Sequence, residues 1–153
     1  MSRVYRVDSR IWDSAEFRNL TPVAPGGQAL WLYLLCANQL ATIPGVYSFS
    51  CVDLAERLGW GKDDVALAMI ELTQEGLAWA DWSKKLVWSP KIVGMNRPDN
   101  PNMAKAWVRS LAQLPRCELS NTVRDWVLAY LSNLGEGFER AVRDCQESVE
   151  PQS

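Results

Sequence analysis

A chain of 153 residues can bury roughly 68 to 70% of its unfolded surface, enough for one core or a core with an appended unit. It contains no histidine, which excludes Ser-His-Asp and Cys-His nucleophilic arrangements and removes the commonest general base. With 16 Lys and Arg against 18 Asp and Glu, it cannot bind polyanions over its whole surface; only a local face can do so.

The start, MSRVYRVDSR, lacks the apolar stretch of a secretory signal, and no run of eighteen apolar residues occurs later, so the chain reads as soluble and intracellular, without membrane contact. PGGQ at Pro25 to Gln28 reads as the loop before a helix. QALWLYLLCANQL, Gln28 to Leu40, is apolar almost all round, which predicts a helix enclosed by other elements or by a partner chain. In TIPGVYSFS, the Pro44-Gly45 turn is followed by Tyr47 and Phe49 at period two, which predicts a short strand. Ser50 offers an N-cap, with Asp53 three residues on as a capping-box partner. The helix CVDLAERLGW then carries Leu54, Ala55 and Leu58 on its apolar stripe and stops at Gly59. After a break from Gly59 to Gly61, KDDVALAMIELTQEG repeats Val65, Ala68, Met69 and Leu72 at helical spacing, with Gly76 to end it. Two short helices around a glycine-containing turn predict a helix-turn-helix, with Leu58 and Leu72 where the helices meet. LAWADWSKKLVWS reads as a β-hairpin turning at Ser83-Lys84-Lys85.

The remainder reads as helical. NPNMAKAWVRSLAQLP places Ala104, Trp107, Leu111 and Leu114 on one side and stops at Pro115. LSNTVRDWVLAYLSNLG repeats Val123, Trp126, Val127, Tyr130, Leu131 and Leu134; GFERAVRDCQ repeats Phe138, Ala141, Val142 and Cys145. The fold class expected is therefore mainly α with a small β-hairpin: a winged helix-turn-helix over residues 1–95, a helical extension over 96–147 packed on it, and a flexible tail over 148–153.

Charge is distributed unevenly along these elements. Residues 84–116 hold Lys84, Lys85, Lys91, Arg97, Lys105, Arg109 and Arg116 against one acid, Asp99. On the helix from Met103 to Gln113, Trp107 and Leu111 face inward, while Asn102, Lys105 and Arg109 fall within about 60° of one another on the opposite face. That stripe is expected to continue to Lys84 and Lys85 at the wing tip and to Lys91 and Arg97 in the following loop. It would track a phosphate backbone, with Asn96, Asn100 and Asn102 as donors. A solvated surface whose charges happen to segregate is the plainer alternative. In a helix-turn-helix the second helix normally enters the major groove. Here its outer stripe is Asp63, Leu67, Ile70 and Gln74, without Lys or Arg and with Asp64, Glu71 and Glu75 nearby, so it opposes phosphate. Leu67 and Ile70 suit a contact with another protein chain or burial under the chain's own C-terminal helices, and a homodimer or higher oligomer is expected.

Several segments resemble the N-terminal winged-helix region of phage replisome-organiser, or replication-initiation, proteins: RVYRVDSRIWDS, FRNLTP, GQALWLYLL, IPGVY, DLAERLGW, GLAWADW with LVWSPK, NRPDNPN, and KAW with the following LP and CEL. The likeness runs from about Arg3 to Leu119. It implies a role in DNA replication in the host-cell cytoplasm, with origin or single-stranded DNA as ligand and helicase-loader contacts as partners. Such proteins usually continue into a further C-terminal domain, whereas this chain stops at Ser153, which reads as a shortened relative acting as a DNA-binding or interaction module. The rival is a non-enzymatic protein-interaction module, a phage regulator or inhibitor of a host protein, that binds no DNA.

No catalytic residue, metal site or cofactor is expected. Neither G-x-x-x-x-G-K-[ST] nor G-x-G-x-x-G occurs. Cys36, Cys51, Cys117 and Cys145 lie far apart without a C-x-x-C pair and read as small buried hydrophobes kept reduced. Asp63 and Asp64 point about 100° apart and read as a first helical turn favoured by the dipole, not as a magnesium site. The eight tryptophans fall mostly on apolar faces and read as core.

Overall fold

The computed structural model describes residues 7–37 and 41–149. Arg3, Arg6, the end of the helix expected to reach Leu40, and the last four tail residues lie outside the described residues. A 3-10 turn, Ser9–Asp13, and a single helical turn, α1 (Ala15–Arg18), lead to α2 (Gly27–Cys36). There follow β1 (Val46–Tyr47), α3 (Cys51–Leu58), α4 (Lys62–Gln74), β2 (Trp79–Asp81), a 3-10 turn over Trp82–Lys84, and β3 (Leu86–Trp88). The chain closes with α5 (Pro90–Met95), α6 (Pro101–Ala112), α7 (Glu118–Ser132) and α8 (Glu136–Val149). The molecule is mainly helical with one small three-stranded antiparallel sheet in the order β1-β3-β2.

Local chemistry accounts for most of these boundaries. At α3, the Ser50 hydroxyl accepts from Asp53 N, and the Asp53 carboxylate accepts from Ser50 N at 2.9 Å, a reciprocal capping box. Gly59 ends the helix in the left-handed region at φ 71°, where a side chain would be strained. Asn100 caps α6 through Met103 N, and a proline occupies the first helical position, as one does after the Ser89 cap of α5. That short helix α5 replaces the loop expected around Lys91. Its signal, Ser-Pro before an apolar pair, is present in the sequence.

The sheet is the seam between two cores. Trp79, Trp88 and Val46 are in register across it, as are Ala80, Val87 and Tyr47. Because side chains alternate faces along a strand, Tyr47 and Val87 join Leu30, Leu34, Leu54, Val65, Ala68 and Leu72 on one side. Leu86 and Trp88 join Trp107, Val108, Leu111, Val123, Val127 and Leu131 on the other. All three residues of β3 are buried in consequence. The helical extension thus packs on the face of the sheet that α2, α3 and α4 leave uncovered, and α5 is shared, with Ile92 in the first core and Val93 in the second.

The all-round apolarity of α2 is met inside the chain. Leu30, Trp31, Leu34 and Leu35 are buried and Leu32 and Tyr33 pack against the same core, with α4 alongside. No second chain is required to explain α2. Trp31, Trp88 and Trp107 are buried and Trp60, Trp79 and Trp82 partly so; Trp12 and Trp126 keep exposed edges, against Phe17 and between Trp88 and Tyr130 respectively. Of the four free cysteines only Cys145 is buried, Cys51 and Cys117 are half-buried, and Cys36 is exposed, so the small-hydrophobe expectation holds for one of them. Burial raises the Cys51 thiol above its ordinary value, with Asp63 adding to the effect. Among the described residues no helix is long and apolar enough to cross a membrane.

Candidate nucleic-acid interface

The hairpin between β2 and β3 is closed by its own polar side chains. The Asp81 carboxylate accepts from the Ser83 hydroxyl at 2.7 Å and from Lys84 N at 3.2 Å. These bonds, the Ser83 hydroxyl foremost, hold the Asp81 carboxyl below its ordinary value. Lys85 then takes the left-handed conformation at φ 53°, which turns the chain back into β3. Lys84 and Lys85 are therefore fixed at the exposed tip by backbone geometry. Lys85 Nζ lies 3.3 Å from Asp53 Oδ2, which ties the tip to the start of α3. The Asp53 carboxyl is held below its ordinary value, chiefly by Ser50 N, then by the Ser50 hydroxyl and Lys85.

The same tip stands beside the end of α6. Lys84, Lys85, Ser48, Ser110, Gln113 and Leu114 are among the residues that line one shallow cleft, and none of its lining residues is acidic. Arg109 lies one turn before Gln113 on the same side of α6, with Lys105 and Asn102 at successive turns behind it. The row from Asn102 to Gln113 spans about 16 Å at 1.5 Å per residue. Asn102 and Arg109 are exposed; Lys105 is half-buried, and its carbonyl accepts from the Cys145 thiol of α8 at 3.5 Å.

The remaining residues of the expected stripe are placed elsewhere. Lys91, on α5, lines a different cavity of about 330 Å³ with Asp8, Arg10, Ile11, Trp31 and Met95. There Arg10 binds the Asp8 carboxylate at 2.8 Å and holds it down to about 2, with a small contribution from Lys91. Arg97 lies over the Phe138 ring of α8, 5.4 Å from its centroid, a cation–π contact. Asn96 donates its amide to the Ile92 carbonyl, and the Asn100 side-chain oxygen caps α6, so both have structural duties. Arg116 lines a groove of about 920 Å³ between α6, α7 and α8. The expected continuous seven-residue stripe is thus a five-residue row, Lys84, Lys85, Arg109, Lys105 and Asn102, because α5 turns Lys91 aside and α8 engages Arg97.

Two residues whose roles had no sequence signal position these elements. Arg124 of α7 donates to the Leu111 and Leu114 carbonyls at 3.0 Å each, closing the carbonyl end of α6. Glu71 of α4 is not a free acid facing outward: its carboxylate accepts from Thr21 N at 2.6 Å and from Gly27 N at 3.1 Å. It serves as a remote cap for α2, whose own N-cap, Gly26, has no side chain to offer. Glu71→Ala is expected to cost about 1.5 to 3 kcal/mol in urea denaturation, the range for hydrogen bonds to a charged group. An unmoved midpoint would count against this capping role.

On the outer side of α4, Leu67 is 62% and Ile70 52% exposed, and Asp63 and Gln74 are exposed with them. The chain's own extension does not cover this face, because α6, α7 and α8 gather on the far side of the sheet. Comparison of the chain with protein-family models, with curated proteins and with solved structures found no significant match.

Proposed function

We propose that this chain is a winged-helix DNA-binding module of the kind used in phage DNA replication, contacting the phosphate backbone through the tip of its hairpin and α6. The carrying observation is the juxtaposition of Lys84 and Lys85, the latter paired with Asp53, with the Gln113 end of α6 in a cleft that no acid lines, from which Arg109, Lys105 and Asn102 continue in line. The order helix, strand, helix, helix, hairpin, with the sheet arranged β1-β3-β2, supports the winged-helix reading. Cationic and amide side chains along a rigid helix and its neighbouring turn suit backbone positioning, not base readout. In this reading α4 stays out of the groove, since its outer stripe, Asp63, Leu67, Ile70 and Gln74, carries no Lys or Arg.

The test is a DNA titration at several salt concentrations. Lys84→Ala, Lys85→Ala and Arg109→Ala are each expected to flatten the salt slope by up to about 0.9 on duplex DNA, and by up to about 2.7 together, with similar losses on unrelated sequences. Lys91→Ala and Arg97→Ala serve as controls and leave the slope unchanged. Absence of binding by the native chain at about 50 mM salt would overturn the reading.

A second reading, a protein-interaction module that binds no DNA, is favoured by one observation, the exposure of Leu67 and Ile70 on a helix otherwise anchored in the core. It predicts that the basic row is dispensable and that α4 carries the function.

A further inference from the structure

We propose that the outer face of α4 is a two-fold contact with a second copy of this chain, the two α4 helices lying antiparallel. The inference is independent of DNA contact, since α4 supplies none of the residues assigned to phosphate. Four exposed residues carry it: Asp63, Leu67, Ile70 and Gln74. Their spacing of four, three and four residues keeps them within about 60° around the helix. It also reads the same from either end, polar, apolar, apolar, polar, about a midpoint between Ala68 and Met69.

In a two-fold interface each patch has to be complementary to itself, and this pattern meets that condition. An unlike partner would impose no symmetry on it. With the axes antiparallel, Leu67 meets the partner's Ile70 and Ile70 meets the partner's Leu67 in the centre. At both ends the Gln74 amide of one chain can donate to the Asp63 carboxylate of the other. A parallel arrangement would set the two Asp63 carboxylates side by side, and like charges across an interface are repulsive.

The helix is suited to present this face without rearrangement. Val65, Ala68, Met69 and Leu72 fix its inner side in the core, and the Glu71 carboxylate is bonded to the loop before α2. The Cys51 thiol donates to the Lys62 carbonyl at 3.1 Å, so the start of α3, which bears Val52 at 52% exposure, is held beside the start of α4. One helix pair buries less than the roughly 1,600 Å² of a standard interface, so a weak dimer is expected, populated at tens of micromolar.

Sedimentation velocity of the full chain without DNA, from about 1 to about 100 µM, tests this. The native chain is expected to pass from monomer to dimer, and Leu67→Asp and Ile70→Asp are each expected to remain monomeric with an unchanged far-ultraviolet circular dichroism spectrum. Orientation is tested by oxidising Leu67→Cys mixed with Ile70→Cys and mapping the cross-links by mass spectrometry, which separates them from the four native cysteines. The cross-link between the two variants should exceed either self-cross-link several-fold. A native chain that stays monomeric at about 100 µM, a dimer that survives both aspartates, or dominant self-cross-links would each overturn the proposal.

Discussion

Trp107→Ala is expected to destabilise the fold by about 3 to 5 kcal/mol, the range for removing a fully buried large aromatic, and to lower the midpoint of thermal unfolding by roughly 2 to 4 °C for each kcal/mol. Trp107 is 1% exposed and sits in the second core with Val108, Leu111, Val123, Val127 and the sheet residues Leu86 and Trp88. Its loss would open a void beneath the sheet, and these neighbours lie on three separate elements, α6, α7 and β3, that cannot all move inward. Unfolding should nevertheless remain one cooperative transition. Leu86 and Trp88 belong to the second core and Val87, between them, to the first, so β3 cannot lose one side and keep the other. Two separated transitions in the variant would show that the extension is energetically independent of the rest.

Leu72→Ala is the second large effect, about 2 to 5 kcal/mol. Leu72 has no exposed surface, and it packs where α4 meets α2 and the inner face of the sheet. Leu58→Ala, at the end of α3, should cost less, because Leu58 only borders that core and remains partly exposed. Part of the truncated side chain is already in water and leaves no closed void. Urea midpoints of the two variants decide the order. An equal or larger loss for Leu58→Ala would mean that α3 bears more of the turn's packing than its burial indicates.

Patterns that act over a few residues were legible directly. The Ser50 and Asp53 capping box, the stop at Gly59 and the reversal at Ser83-Lys84-Lys85 all depend on groups within four residues of one another, and each appears where the spacing predicts it. The inward faces of α4, α6 and α7 were legible for the same reason, since a helical period assigns one side to the core before any neighbour is known. Short elements were less so. The helix α5 holds only six residues, too few for a period, and its Ser-Pro start had to compete with a loop reading.

The candidate interface was legible only in part. Local charge density singled out residues 84–116, and the phase of α6 aligned Asn102, Lys105 and Arg109. That Lys84 and Lys85 meet the far end of that helix is a tertiary fact, set by the extension closing over the Leu86 and Trp88 face of the sheet. The diversion of Lys91 and Arg97 has the same origin: each is adjacent in sequence to the row but faces another element, Asp8 before α1 or Phe138 on α8. Glu71 shows the limit most plainly. Nothing in KDDVALAMIELTQEG distinguishes its carboxylate from those of Asp63 or Asp64, yet only Glu71 meets two backbone donors, Thr21 N and Gly27 N at the start of α2, more than forty residues earlier. Sequence alone determined the identity of the longer helices, their apolar faces and the sign of each surface, because periodicity and charge are properties of the chain itself. Which charges stand together and which apolar side chains stay uncovered was decided by tertiary packing, because those relations depend on distances between elements that no local pattern encodes.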